Sequence, residues 1–299
     1  MKKLADEEAP MLRPPQAVTG TERKEEAPAT SNGAGSTSPA AEAQEDPPPL
    51  GHTRLCCGGR CILARDAHAS AVVAVLVLSF DGILTYLFLN NTSYLWIVFT
   101  NAFITVLVIV ALTLATTTDP GIIAKLTKGD PRIKPPPPKG MAEFVVVKGI
   151  QVVTPYCHTC RRTRPPRTSH CHFCNNCVSK FDHHCGVIGA CVGEGNLRFF
   201  FLFLLSLVLK AGWIAAFSTF YLAQHWNDGD LAKKGLAFVN IVIGAVITLQ
   251  LSAMSIHYIK LMSTGYTQRE NIKRERLYGK NGVNPYDDGC KQNWGEIWC

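Results

Sequence analysis

No stretch near the start of this chain runs from positive charge through an apolar core to small residues, so no cleaved secretory leader is expected. The opening residues also lack apolar periodicity. They are mostly Ala, Glu, Pro, Ser, Thr and Gly, ending in Pro47-Pro48-Pro49. Such a composition buries too little to offset the entropy of ordering, and residues 1–53 read as a disordered arm. No Cys-x-x-Cys pair follows Cys177. That absence excludes the cross-braced zinc fold of membrane ubiquitin ligases, which needs such a closing pair. Basic residues are few in the 90–93 and 224–235 segments, although the chain carries a formal net charge of +7.

What is present, first, is long apolar runs. Ala69–Leu89, about Tyr94 to Ala115, Phe199 to about Ala223 and Leu236 to about Met262 are each long enough to cross a hydrocarbon core of about 30 Å. The first two, separated by Asn90-Asn91-Thr92-Ser93, read as a helical hairpin in the bilayer. The Asn-x-Ser/Thr acceptors in that break lie too close to the membrane to be used. Tyr94 and Trp96 suit an interfacial belt. Arg and Lys crowd the N-terminal flank, the 120–198 segment and the tail, so both termini and that segment are expected on the cytosolic side. The net positive charge also suits an anionic cytosolic leaflet. Two charges fall inside the spans, Asp81 in the first and Lys210 in the third, each about 17 Å from the cytosolic edge at 1.5 Å per residue. Intramembrane charges face the bundle and find partners, so the two are expected to pair.

Between the second and third spans, Asp119-Pro120-Gly121 reads as a turn. Pro135 to Pro138 form a stiff spacer, and 144–153 reads as a β-hairpin turning at Gly149. Then comes the densest chemistry in the chain. Seven of its twelve cysteines lie between Cys157 and Cys191. Ten residues are the candidate ligands: Cys157, Cys160, His170, Cys171, Cys174, Cys177, His183, His184, Cys185 and Cys191. Paired Cys-x-x-Cys thiolates chelate one ion from a tight turn, and closed zinc sites take four Cys or His ligands. Two such sites use eight of the ten and leave one histidine and one cysteine. A disulfide framework suits an odd count of seven poorly, on the reducing side of a membrane. If Asp182-His183-His184-Cys185 is extended, its side chains alternate. His184 then points to a metal, while His183 stays beside a free Cys185. A histidine there can take the thiol proton, the thiolate is the nucleophile, and Asp182 can orient the imidazole. Spacing alone leaves open a purely structural finger in which Cys185 is one more ligand.

The run Cys-x2-Cys-x9-His-Cys-x2-Cys-x2-Cys-x4-Asp-His-His-Cys-x5-Cys, from Cys157 to Cys191, resembles at every position the signature of the DHHC-type protein S-acyltransferase (palmitoyltransferase) family. Asp119-Pro120-Gly121, Asn196-x-Arg198-x-Phe200, Thr267-Gln268-Arg269-Glu270 and the Asn284-to-Asn293 tail resemble further family motifs. The resemblance implies a polytopic α-helical membrane protein of four transmembrane helices, with a cytosolic cysteine-rich domain binding two zinc ions between helices 2 and 3. On that reading 54–118 is the first transmembrane hairpin, 119–197 the zinc-binding catalytic domain, 198–263 helices 3 and 4, and 264–299 a cytosolic tail. One zinc takes Cys157, Cys160, His170 and Cys177, the other Cys171, Cys174, His184 and Cys191. Cys185 is the acyl carrier, His183 its base, and Asp182 the residue that positions the base. Arg164 and Arg167 stand where the family holds coenzyme A phosphates, a use to which arginine's fork is suited.

The implied activity is protein S-palmitoylation, moving a long-chain acyl group from acyl-CoA through Cys185 to cysteines of membrane-associated proteins. The partners implied are palmitoyl-CoA, cytosolic-face protein substrates and the bilayer, without nucleic acid, in the Golgi, endoplasmic reticulum or plasma membrane. The sequence departs from the family at Gly186, Val187 and Ala190, where Pro, Trp and Asn are usual, and at Gln268, where the family has a second threonine. The loss of Pro and Trp is expected to loosen the loop after Cys185. A catalytically inactive zinc-domain scaffold is the alternative those departures keep open. A channel would account for Asp81 and Lys210 but not for Asp182-His183-Cys185. Cys56, Cys57 and Cys61, just before the first span, suit a small metal site or juxtamembrane acylation.

Overall fold

The computed structural model describes residues 50–56, 61–138, 143–278 and 282–298. Residues 1–49 of the expected N-terminal arm and Cys57 lie outside these, while residues 50–53, expected in that arm, are described and pack on the cysteine-rich domain, the Asn176 side chain donating to the Leu50 carbonyl. Among the described residues, four helices are long and apolar enough to cross a membrane: α1 (His68–Phe88), α2 (Leu95–Thr117), α3 (Leu197–Gln224) and α4 (Leu231–Ser263). The chain is a multi-pass membrane protein, with its cysteine-rich segment between the second and third helices. The helices match the apolar runs, except that α4 starts earlier than hydropathy suggests. Its start is set by Asp230, whose carboxylate accepts the Lys233 amide at 3.0 Å and so caps the helix.

The small elements are β1 (Arg54–Cys56), β2 (Cys61–Leu63), β3 (Ile122–Ile123), β4 (Glu143–Val147), β5 (Ile150–Thr154), β6 (Tyr156–Cys157), β7 (Arg162–Thr163), β8 (Ser169–Cys171), β9 (Asn176–Val178), β10 (His183–Cys185) and β11 (Ala190–Val192). Helices α5 (Gln268–Ile272), α6 (Arg274–Tyr278) and α7 (Cys290–Trp298) follow α4. β4 and β5 form the expected hairpin, turning through Lys148 and Gly149 at φ of 48° and 79°, the paired positive values of a two-residue turn. β1 and β2 pair with Cys56 opposite Cys61. This hairpin lies against the cysteine-rich domain, where the His52 amide donates to the Cys174 carbonyl at 2.9 Å.

Three devices join that domain to the bundle. The Asp119 carboxylate accepts the amides of Gly121 and Ile122 at 2.9 and 2.8 Å, turning the chain from α2 into β3. β3 then pairs with β9, the central strand of a β3-β9-β8 sheet. Gly195 packs so close that a Cβ there would sit 2.2 Å from the Asp119 carbonyl oxygen. Asn196, fully buried, donates to the Ala115 and Cys191 carbonyls at 2.9 Å each and accepts the Gly193 amide at 2.9 Å. One side chain thus ties the end of α2, the entry to α3 and Cys191. Because Asn196→Ala strands those buried groups, it is expected to cost about 2 kcal/mol or more. A lower apparent melting temperature in detergent would show it, and an unchanged one would refute the tie.

Within the bundle, α2 buries Ile97, Asn101, Ile104, Thr105, Val108, Ala111, Leu112 and Ala115, a single helical stripe. α3 and α4 meet at Gly244, where an added Cβ would sit 2.9 Å from the Ala211 carbonyl oxygen. Small residues give such close approach in membranes. At mid-helix the expected ion pair is present. Lys210 Nζ donates to Asp81 Oδ1 at 2.5 Å, Asn101 Oδ1 at 2.6 Å and Thr105 Oγ1 at 2.6 Å. Asn101 and Thr105 also donate to Asp81 Oδ1, at 2.7 and 2.6 Å. The quartet joins α1, α2 and α3.

Candidate active site

β8 and β9 form a tight hairpin that brings the Cys-x-x-Cys turns together. Their register sets His170 opposite Cys177, and that of β10 and β11 sets His184 opposite Cys191. The result is two groups, Cys157, Cys160, His170 and Cys177, and Cys171, Cys174, His184 and Cys191, whose ligand atoms lie within 4.8 Å of one another in each. His158 and His172, inside the same stretch, belong to neither. Each histidine offers Nδ1. In the first group Nδ1 of His170 is 3.6, 3.5 and 3.9 Å from the sulfurs of Cys157, Cys160 and Cys177. In the second, Nδ1 of His184 is 3.7, 3.5 and 3.7 Å from those of Cys171, Cys174 and Cys191. Bond lengths of about 2.0–2.3 Å around a tetrahedral ion put ligand atoms roughly 3.3–3.8 Å apart, so both groups fit one ion each. None of the described cysteines is in a disulfide. Around the second group Phe173 stacks on His184 at 4.7 Å, and Asp66 lies 3.7 Å from its Nε2.

β10 is extended, and its alternation separates the two histidines. His184 joins the metal group, and His183 turns to the other face with Cys185. His183 Nδ1 meets Asp182 Oδ2 at 2.8 Å. Asp182 is buried and fully engaged. Its Oδ2 also accepts the Tyr258 hydroxyl at 2.8 Å, and its Oδ1 accepts the Gln268 amide at 2.6 Å. Burial, the largest influence on His183, works against its charge. The hydrogen bonds with Asp182 and Cys185 outweigh it and lift the imidazole to about 9. Burial likewise pushes the Cys185 thiol up, but His183 and the amides of Ile188 and Val187 overcome it, and the net shift is downward. Both shifts run in the direction of an imidazolium and a thiolate.

The loop after Cys185 is closed rather than loosened. Gly189 donates to the Cys185 carbonyl at 2.9 Å, and Cys185 pairs with Ala190 across the hairpin. Gly189, at φ 66°, packs where a Cβ would fall 2.0 Å from the Asp66 carbonyl oxygen, so the turn is seated on the start of α1. Small residues still change the mouth. A Cβ at Gly186 would meet nothing within 4 Å, and the Val187 side chain is exposed.

The two arginines expected at phosphates part company. Arg164 is half-buried, with Nε on the Pro155 carbonyl at 3.3 Å, and no carboxylate among the described residues pairs with it. Arg167 is ion-paired within the chain. Its fork closes on Glu270 at 2.9 and 2.8 Å, its Nη2 also donates to the Gly265 carbonyl at 2.7 Å, and it lies 4.6 Å over the Tyr286 ring. Glu270 in turn closes a capping box with Thr267. Arg167 is a tie between the cysteine-rich domain and the tail.

The tail motifs dock as the sequence suggests. Asn293 donates to the Ser263 carbonyl at 3.0 Å at the end of α4, and Trp294 donates to the Ser263 hydroxyl at 3.0 Å. The Gln268 departure is absorbed, because Asp182 is met by a backbone amide that any residue supplies. The Gln268 side chain instead meets His257 at 2.7 Å. Sequence reasoning missed Tyr258, which lies inside an apolar run with no motif around it.

Residues 152–275 match the family model for the DHHC palmitoyltransferase. Among curated proteins, palmitoyltransferase ZDHHC5-B of Danio rerio is 30% identical over 189 residues, covering 62% of this chain and 28% of that protein. Palmitoyltransferase ZDHHC5 of Homo sapiens and that of Bos taurus are each 31% identical over 202 residues, covering 67% of this chain and 27% of theirs. The match thus spans little more than a quarter of the length of these relatives.

Proposed function

The chain belongs to the DHHC palmitoyltransferase family, and we propose that it is a protein S-acyltransferase carrying a long-chain acyl group from acyl-CoA on Cys185. One observation carries this reading: Cys185 and His183 share one face of β10 against a buried Asp182, at the end of a membrane bundle. The Cys185 thiolate attacks the thioester carbonyl, the carbon–sulfur bond to coenzyme A breaks, and the departing thiolate takes a proton from the His183 imidazolium. An acceptor cysteine on a membrane-associated protein then gives its proton to His183 and attacks the acyl-Cys185 thioester carbonyl; the carbon–sulfur bond to Cys185 breaks, and Cys185 leaves as the thiolate beside the restored His183 imidazolium. Asp182 holds Nδ1 and stabilises the imidazolium. The Ile188 and Val187 amides, which already face the sulfur, steady the thiolate. Arg164 receives the coenzyme A phosphates, and the exposed Val187 sits at the acceptor's approach.

Zinc suits the two ligand groups, since three thiolates and one imidazole in a closed tetrahedron are a structural zinc set. It would supply no chemistry to the reaction, only the fixed placement of β10 between Cys174 and Cys191. The ligands need a reducing compartment, and the positive-inside pattern supports a domain and both termini on the cytosolic face of an endomembrane or the plasma membrane.

The test is self-acylation of the purified chain with a labelled palmitoyl-CoA analogue, comparing wild type with Cys185→Ala. Cys56, Cys57 and Cys61 are replaced in both. Label that Cys185→Ala abolishes and hydroxylamine releases is the expected result. Equal label in the two proteins, or none in a folded and metal-loaded wild type, would overturn the reading in favour of a scaffold.

A further inference from the structure

We propose that Tyr258 is a positioning residue for this site, by which a membrane helix sets the orientation of the Asp182 carboxylate and, through it, the His183 imidazole. The inference rests on the acyl-transfer reading above. Tyr258 lies on α4, five residues before its end at Ser263, and is 3% exposed. A phenol hydroxyl buried at a helix end in the bundle needs a polar partner. It finds Asp182 Oδ2 at 2.8 Å, the same oxygen that faces His183 Nδ1, and lies 3.3 Å from Nδ1 itself.

The terminal torsion of an aspartate is soft, so one hydrogen bond to the imidazole leaves the carboxylate free to swing. Here each oxygen has a second anchor. The Gln268 amide on α5 fixes Oδ1 at 2.6 Å, and Tyr258 on α4 fixes Oδ2. The two donors flank the α4–α5 junction and pin the carboxylate plane. The phenol is itself held, since Phe200 of α3 meets the Tyr258 ring at 5.3 Å and the His183 ring at 5.3 Å, both edge-on. With Nδ1–H directed to Asp182, the tautomer leaves Nε2 for the Cys185 side. The Tyr258 hydroxyl is bonded to Asp182 and makes no hydrogen bond to the Cys185 sulfur, so it acts through Asp182.

The experiment uses the full chain in detergent and follows the rate of Cys185 self-acylation against palmitoyl-CoA concentration. Tyr258→Phe removes only the hydroxyl and keeps the ring against Phe200. Losing a hydrogen bond to a charged group is expected to lower the saturating rate about tenfold. The half-saturating concentration should stay unchanged, with both metals retained by mass spectrometry. In an Asp182→Ala background the same change is expected to lower the residual rate by less than about twofold, because the partner is already gone. Tyr258→His, which restores a ring N–H donor, should recover part of the rate. A wild-type rate in Tyr258→Phe overturns the proposal. So does a tenfold loss that persists in the Asp182→Ala background, or a loss that comes with lost metal. A wild type that carries no Cys185 label fails the acyl-transfer reading itself and takes this inference with it.

Discussion

Stripping the metal from the purified protein is expected to abolish Cys185 acylation while the four membrane helices persist. The two ligand groups hold a domain built of strands only two to five residues long and two-residue turns. Apart from cysteines, its buried apolar residues are few, among them Val178, Phe181, Ile188 and Val192. Structural zinc contributes about 10–16 kcal/mol to small domains, as much as the whole stability of most. Without it, buried thiols and imidazoles are left crowded together and the domain opens. His184 and Cys191 flank Cys185 on paired strands, so the face that carries His183 and Cys185 goes with them. The ligands also alternate along the chain, with His170 and Cys177 in one group enclosing Cys171 and Cys174 of the other. Losing one ion should therefore loosen the second. Cys157→Ser and Cys191→Ser are each expected to reduce metal content from two per chain to below one, with acylation lost in both. Elemental analysis and limited proteolysis of the 119–197 segment read this out. Metal-free protein that still acylates Cys185 would sink the structural role, and a clean drop to one ion would show the centres to be independent.

What could be read in advance follows the range of the forces concerned. Apolar runs and the spacing of Cys-x-x-Cys pairs are local, and they gave the four helices and the candidate ligands. The alternation of His183, His184 and Cys185 needed only the assumption of an extended backbone, and β10 is a strand. The Gly149 turn likewise follows from its neighbours. Partners distant in sequence did not show themselves. Nothing near Arg167 marks Glu270, 103 residues on, as its partner. Tyr258 looked like one more aromatic in a span, since Asp182 lies 76 residues before it. The departure at Gln268 was weighed as a lost side chain when the contact belongs to its amide. Asp66 beside His184 and Gly189 depend on how α1 meets the metal domain, which no spacing encodes. The Asp81–Lys210 pair was the exception. Helical rise alone placed both charges at one depth, and an apolar surround leaves such charges few partners.

Breaking that pair from one side is expected to destabilise the bundle more than removing it whole. In lipid, apolar surfaces supply little drive for helices to associate, so packing and polar contacts hold them. α1 shows the consequence, because its only fully buried residues, Leu84, Leu87 and Phe88, lie in its last turns. Further toward its N-terminal end, the quartet is its principal polar anchor, joining Asp81 to Asn101, Thr105 and Lys210. Lys210→Met strands a carboxylate and Asp81→Leu strands an ammonium, each among neutral groups. Either change is expected to cost about 3 kcal/mol, whereas the double variant replaces both charges by apolar volume and should cost clearly less than the sum. Unfolding in detergent, measured for the wild type and the three variants, supplies the coupling energy directly. Additive losses would mean that the two charges find separate partners and that the pair does not hold α1. With coupling present, the single variants should also expose α1 to proteolysis or cross-linking at Val72, Val75 and Leu76 before the rest of the bundle yields. The quartet bridges α1 to α2 and α3, while the Gly244 contact that binds α3 to α4 does not depend on it.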